Sequence, residues 1–264
     1  MTSDPADPRR TQAQDGALAG RRAMVTGAAS GIGAAIAQAY AAAGASLCLA
    51  DRSAGDGLDR VIQRCSTFGV EVVGVQADVS VEAEVTALFS AAQAALGRVD
   101  VLVNCAGILT ESPVATMTAA MFDETIAVDL RSVFLCCRAG LPSMLEHGFG
   151  RIINIASQLG QKGDPGLAHY SAAKAGVIGF TRALAREVGA DGITANCIAP
   201  GPIRTPLTAE LSRQRAETLR AALPLQRFGE PAEVAPTAVL LASDPGGNLY
   251  TGQTLGPNSG DVML

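Results

Sequence analysis

Tyr170 and Lys174 stand four positions apart in the segment His169-Tyr-Ser-Ala-Ala-Lys174, and Ser157 lies thirteen positions before the tyrosine. On a helix, residues i and i+4 share a face, so a phenol and an ammonium point into the same space. A free tyrosine titrates near ~10, and a neighbouring cation stabilises the phenolate at about 1.4 kcal/mol per pKa unit. The pair therefore suits proton exchange with an alcohol or a carbonyl. Ser157 closes the apolar run 151–156, where its hydroxyl is placed to orient the reacting oxygen. A Tyr-x-x-x-Lys spacing also arises on many solvated helices, so the reading depends on what else the chain supplies.

The elements that would position this chemistry start near the other end. An apolar run at 22–26 breaks at Gly27-Ala-Ala-Ser30-Gly31-Ile32-Gly33, and an alanine-rich stretch to Ala43 follows. That order predicts strand, glycine turn, helix. Glycines let the backbone turn sharply and approach a phosphate, while the first N–H groups of the helix and its positive dipole end hold an anion. Gly44 stops the helix, and a second buried strand, 46–50, ends at Asp51, eighteen residues past Gly33. Such an acid suits the ribose of a dinucleotide whose pyrophosphate sits on the turn. The spacing is G-x-x-x-G-x-G and not G-x-G-x-x-G, so the strand before and the acid after carry the reading.

Composition sets the frame. With 264 residues, 48% of them hydrophobic, and 29 glycines, the chain suits one α/β domain with a large core. Strand signals at 21–26, 46–50, 71–76, 99–103, 151–156, 193–198 and 253–256 alternate with helical ones at 31–43, 54–67, 81–96, 117–146, 168–188, 206–222 and 231–242. This predicts a doubly wound parallel seven-stranded sheet, covered by helices on both faces. Gly27, Asp51, Asp78, Asn104, Ser157 and Pro200 then fall just beyond carboxyl ends of strands, where ligands bind in open α/β sheets. Residues 1–19, with prolines, charges and little apolar content, read as a disordered tail ahead of a folded domain at 20–264. With no secretory signal and no stretch near ~18 apolar residues, a soluble cytoplasmic protein is expected. Six cysteines without metal-ligand spacing and only two histidines predict reduced core thiols and no metal site. A formal net charge of −5 without a basic run argues against nucleic acid.

Together these residues resemble the short-chain dehydrogenase/reductase family over nearly everything after residue 20. Thr26-Gly27-x-x-x-Gly31-Ile32-Gly33 looks like its cofactor turn, Asn104-Cys105-Ala106-Gly107 like its Asn-Asn-Ala-Gly stretch with one substitution, and Ser157, Tyr170 and Lys174 like its catalytic set. The resemblance implies a Rossmann fold, a nicotinamide dinucleotide, and Tyr170 as general acid and base. It further implies cofactor contacts at Ser30, Asp51, Arg52, Asn104, Ala106 and Gly107, and from Tyr170 and Lys174. Asp78 with Val79 resembles the adenine-binding position, although Asp78 also reads as an N-cap for the next helix. Pro200-Gly201 would lie against the nicotinamide, with Ile203 and Thr205 at its carboxamide. One departure stands out. Asp129 occupies the place of the asparagine that completes the family's catalytic tetrad, and its carboxylate is expected to offset part of the pull of Lys174 on Tyr170, moving the pH optimum upward.

Asp51 would accept both ribose hydroxyls of NAD and repel the 2′-phosphate of NADP. Charged hydrogen bonds of roughly 1.5–3 kcal/mol make that preference at least about tenfold. Arg52 could still reach a 2′-phosphate, so NAD is expected and NADP is the lesser reading. The substrate loop maps to about 201–223, where Arg213, Arg215 and Arg220 read as a solvated helix face; Leu109, Gln158, Leu159 and His169 could line a mixed pocket. The expected reaction is hydride transfer between NAD(H) and a secondary alcohol or ketone, such as a polyol, sugar or hydroxy compound. Two alternatives stand beside it: a 3-oxoacyl-[acyl-carrier-protein] reductase using NADPH, and a nucleotide-sensing protein with impaired catalysis. The family's habit implies a homotetramer or homodimer built on the helices 117–146 and 168–188, with 258–264 reaching toward a neighbouring subunit.

Overall fold

The computed structural model describes residues 16–53, 55–209 and 213–263. Seven strands, β1 (Arg22–Thr26), β2 (Ser46–Asp51), β3 (Val72–Gln76), β4 (Val101–Asn104), β5 (Gly150–Ile155), β6 (Ile193–Ile198) and β7 (Thr254–Leu255), form one sheet in the order β3-β2-β1-β4-β5-β6-β7. Every pairing is parallel, with Met24 opposite both Cys48 and Leu102, and Asn104 opposite Asn154. The sheet order reverses between β1 and β4, which opens a crevice at their carboxyl ends. The doubly wound parallel sheet expected from the alternation of strand and helix signals is therefore the fold.

Helices α1 (Gly31–Ala42), α2 (Asp56–Ser66) and α9 (Pro231–Ala242) cover one face; α3 (Glu82–Leu96), α5 (Ser132–His147) and α7 (Ala168–Val188) cover the other. Between them fall α4 (Ala119–Ile126), the short α6 (Leu159–Lys162) and α8 (Arg213–Ala222). Strands β4 and β5 are buried along their whole length, as a sheet packed on both faces requires. One apolar layer packs Met24, Cys48, Leu102 and Ile152 against α3, α5 and α7; the other packs Val25, Leu47, Val103 and Ile153 against α1 and α9. At about 1.5–3 kcal/mol for each fully buried aliphatic side chain, these layers dominate the stability.

The structure revises the expected elements in three places. The stretch read as one helix, 117–146, is α4, a single π-helical turn at Ala127–Arg131 and α5. The extra residue in that turn carries Asp129 into the core, a placement that hydrophobic periodicity does not reveal. The helix read at 206–222 is a 3₁₀ turn at Pro206–Thr208 and, after residues outside the described set, α8. Of the expected tail, residues 1–15 lie outside the described residues, whereas 16–19 are part of the fold. Leu18 is buried and its N–H donates to the Ala43 carbonyl at 2.8 Å, so one leucine anchors the segment that polar composition had assigned to disorder.

Candidate active site

Crossover geometry brings β1 beside β4, and Thr26 joins them. Its hydroxyl accepts the N–H groups of Cys105 at 3.0 Å and Ala106 at 3.2 Å. The glycine turn follows in a space that admits no larger residue. A Cβ on Gly33 would stand 2.2 Å from the Gly27 carbonyl oxygen, and one on Gly27, at φ +64, would stand 2.8 Å from Ala106 Cα. Ser30, the N-cap of α1, makes no side-chain capping bond, and the first turn of α1 holds no acid. The N-terminal amides of α1 are thus left to an external anion, and Ser30, Gly31, Ile32 and Gly33 line a cavity at the carboxyl ends of the strands. These are the features a dinucleotide pyrophosphate needs, and the residues fit it.

Asp51 closes β2 on the rim of the same cavity. Its Oδ2 accepts the Ala29 N–H at 3.1 Å and its Oδ1 the Ser53 N–H at 3.0 Å. Each oxygen keeps a second lone pair, so the pinned carboxylate can still accept a ribose hydroxyl. Arg52, Ala77, Asp78, Val79 and Val128 join Asp51 around a neighbouring hollow of about 80 Å³ on the side where adenine is expected. Asp78 does not cap α3. Its Oδ1 accepts the N–H and hydroxyl of Ser80 at 2.8 and 2.6 Å, and Val81 is the N-cap, because the chain turns once more before the helix starts. Asn104 is a second correction. Its amide points into the core, donating to Asn154 Oδ1 at 2.8 Å, and Asn154 in turn donates to Thr181 Oγ1 at 2.8 Å. Cys105, Ala106 and Gly107 line the cavity, while Asn104 braces β4, β5 and α7 beneath it.

Ser157, Tyr170 and Lys174 converge on that cavity, whose volume is about 370 Å³. All three are buried, on the end of β5 and on one face of α7. Lys174 Nζ donates to the Ile155 carbonyl at 3.1 Å and lies 5.6 Å from the centre of the Tyr170 ring. Ser157 Oγ accepts the Leu159 N–H at 3.1 Å. Burial raises the Tyr170 phenol, Lys174 pulls it down, Asp129 pushes it up, and the bond to Ser157 pulls it down again; the sum lies above the ordinary tyrosine value. The acidification expected from Lys174 alone is thus outweighed by desolvation with help from Asp129.

Asp129 is fully buried on its π turn. Oδ1 accepts the Ile108 N–H at 2.8 Å, and Oδ2 lies 3.6 Å from Lys174 Nζ with no hydrogen-bond partner among the described residues. Burial pushes this carboxyl upward against the pull of Lys174 and the Ile108 N–H. Burial also acts to lower Lys174, but Asp129 and Tyr170 hold the ammonium above its ordinary value. Gly107 makes room for the pair, since a Cβ there would meet Asp129 Oδ1 at 3.3 Å and Lys174 Nζ at 3.5 Å.

The far end of the cavity is built from four segments. Pro200 accepts the Gln158 N–H at 3.1 Å, Gly201 donates to Pro257 at 3.1 Å, and Ile203 bridges to Gly229. Thr205 caps the 3₁₀ turn together with Thr208. Arg215 on α8 is not a solvated lysine-like fringe: it enters the cavity lining, bonds Asp164 Oδ2 at 3.0 Å and pairs with Glu111. It ties α8 to the loops after β4 and after α6. From the C-terminal segment, Asp261 Oδ2 accepts Lys162 Nζ at 2.5 Å and Gln158 Nε2 at 2.6 Å. The segment 258–263 therefore folds onto its own chain, with Asn258 Nδ2 donating to Val262 O at 2.8 Å. Leu109, Gln158 and Leu159 line the cavity as expected, whereas His169 is buried away from it and meets Thr110 Oγ1 at 2.8 Å.

Residues 27–260 match the family model described as Enoyl-(Acyl carrier protein) reductase. The chain is a short-chain dehydrogenase/reductase. It is 42% identical over 248 residues to a 3-oxoacyl-[acyl-carrier-protein] reductase of Synechocystis sp., a match that covers 94% of this chain and 99% of the relative. Among solved structures it resembles one assigned as an NAD(P)-dependent gluconate 5-dehydrogenase from Beutenbergia cavernae with NADP bound, at TM-score 0.87 and 39% identity over 92% of this chain and 97% of that one. It also resembles levodione reductase, at TM-score 0.88 and 37% identity over 92% and 98% of the two chains.

This short-chain dehydrogenase/reductase is an oxidoreductase that acts on hydroxyl or keto groups through a nucleotide cofactor. Sequence reasoning missed Lys162, Asp164 and Asp261 as parts of its cavity, and it assigned Arg215 to solvent. Arg215 and Asp164 are fifty-one positions apart, so no local periodicity links them. Among the described residues, no helix is long and apolar enough to cross a membrane, and no group of three or more His, Cys, Asp or Glu could hold a metal ion.

Proposed function

We propose that this enzyme interconverts a secondary alcohol and its ketone on a small polar substrate, with NAD(H) as its cofactor. The observation that carries this reading is the convergence of Ser157, Tyr170 and Lys174 on the cavity that the glycine turn and Asp51 also line. A nicotinamide dinucleotide bound there supplies or takes up the hydride. Ser157 orients the substrate oxygen, Tyr170 exchanges its proton with that oxygen, and Lys174 stabilises the charge left on the phenol. Asp51, held by two backbone N–H groups at the end of β2, supports NAD(H) over NADP(H), because its carboxylate repels a 2′-phosphate. Arg52 is exposed beside it and supplies the counter-argument.

A second reading, reduction of a 3-oxoacyl thioester on a carrier protein with NADPH, is favoured by the Synechocystis relative and by Leu109, Leu159, Leu167, Leu207, Leu219 and Leu223 in the cavity lining. Against it, the cations of the lining besides Lys174 are already paired: Lys162 with Asp261, and Arg215 with Asp164. An acidic carrier gains little by approaching a neutralised rim. Comparing kcat/KM for NADH and NADPH with short 3-oxoacyl thioesters and with hydroxyketones decides between the two. NADPH-dependent turnover confined to the thioesters would overturn the first reading.

Assembly into a cytoplasmic homotetramer belongs to the same proposal. Exposed Phe122, Phe134 and Leu145 on α4 and α5, and Leu240 and Leu249 at the α9–β7 end, provide two apolar faces for it. Sedimentation equilibrium reporting a monomer would remove this part.

A further inference from the structure

We propose that Asp129, acting through Lys174, keeps Tyr170 in its phenol form at neutral pH and so moves upward the pH at which oxidation gains its base. The inference rests on Tyr170 being the proton carrier of the reaction above. Asp129 is a positioning residue here, since it does not line the cavity and meets Lys174 instead.

Two observations favour a carboxylate at this position against the upward push of burial. Oδ1 accepts the Ile108 N–H at 2.8 Å, a bond stronger to the charged form. The Lys174 ammonium lies 3.6 Å away, in a place where neither group is more than slightly exposed. The other titratable groups facing the cluster are few. Tyr170 and His169 share α7 with Lys174, and Cys105 approaches from the loop after β4 with its thiol pushed up to about 12 by burial, so it stays neutral. His169 is engaged with Thr110.

The electrostatic consequence follows from counting charge in this closed volume. With Asp129 and Lys174 both ionised their fields largely cancel at Tyr170, and loss of the phenol proton would leave the cluster net negative in a low-dielectric site. The phenol is therefore the resting form. Reduction begins from that form: the Tyr170 O–H bond breaks as the proton moves to the carbonyl oxygen, the hydride comes from reduced dinucleotide, and the phenolate regains its proton from solvent. Oxidation must begin from the phenolate, which is scarce until the pH rises.

The test uses Asp129→Asn, which is isosteric and still accepts the Ile108 N–H through its amide oxygen. Phenolate absorbance is titrated as a difference against Tyr170→Phe in both backgrounds, with no substrate present. Because Tyr40 is buried and its phenol is pushed far above the ordinary value, it does not overlap the signal. We expect Asp129→Asn to lower the midpoint by about one pH unit or more. The rising limb of oxidative kcat/KM against pH should then move down by the same amount, and Asp129→Glu should move both back. An unchanged midpoint, or one that moves upward, overturns the inference, because Asp129 would then be uncharged or merely structural. A midpoint that falls as expected without turnover of any ketone or alcohol would sink the reaction proposed above and leave this electrostatic role standing.

Discussion

The two halves of the cavity are made in different ways. On the proposed cofactor side, between β1 and β3, binding groups are mostly backbone: the amides at the start of α1, the close approach of Gly27 to the Ala106 backbone, and one acid pinned by two N–H groups. On the proposed catalytic side, between β4 and β7, they are side chains brought from distant positions, as with Arg215, Asp164 and Glu111, or Asp261 with Gln158 and Lys162. Backbone groups come with any sequence that folds this way, so the first half is general. Side chains are chosen singly, so the second half holds the individuality of the enzyme.

Substitution can break this contrast or make it sharper. Tyr170→Phe should lower kcat by about a thousandfold while nucleotide affinity stays, because only a proton donor is lost; stopped-flow hydride transfer and fluorescence titration check the two halves separately. Gly33→Ala should do the opposite. Its Cβ meets backbone at 2.2 Å, so we expect a loss of about 1–3 kcal/mol in stability and roughly a hundredfold in nucleotide affinity, read by thermal melts with and without cofactor. Asp51→Ser should shift the NADP-to-NAD ratio of kcat/KM upward by about tenfold, and an unchanged ratio would mean that the acid does not discriminate. Arg215→Ala should raise KM several-fold at nearly constant kcat. Stability should stay within about 0.5 kcal/mol, since the guanidinium is 30% exposed and its pairs are solvent-screened.

The same contrast explains how much was legible beforehand. The strands at 193–198 and the helices at 168–188 and 231–242 were placed at their observed limits, because an apolar run bounded by glycine or proline has few other solutions. Gly27, Gly31, Gly33 and Asp51 come to one cavity for a related reason: the local order of strand, turn, helix and acid brings them together. The π turn at Ala127–Arg131 was not legible, because one inserted residue leaves apolar periodicity nearly intact while rotating Asp129 inward. Asn104 was misassigned since a polar residue at a strand end reads equally well as ligand-facing or as a buried brace, and only the proximity of Asn154 decides it. The contacts of Arg215 were invisible for want of any short-range signal.

Cys105 offers a last consequence. It lines the cavity beside Tyr170 and Lys174, yet burial pushes its thiol up to about 12, so the neutral thiol prevails at pH 7. Such a sulfur is a poor nucleophile. The cavity wall thus presents a sulfur of low reactivity to whatever electrophile enters.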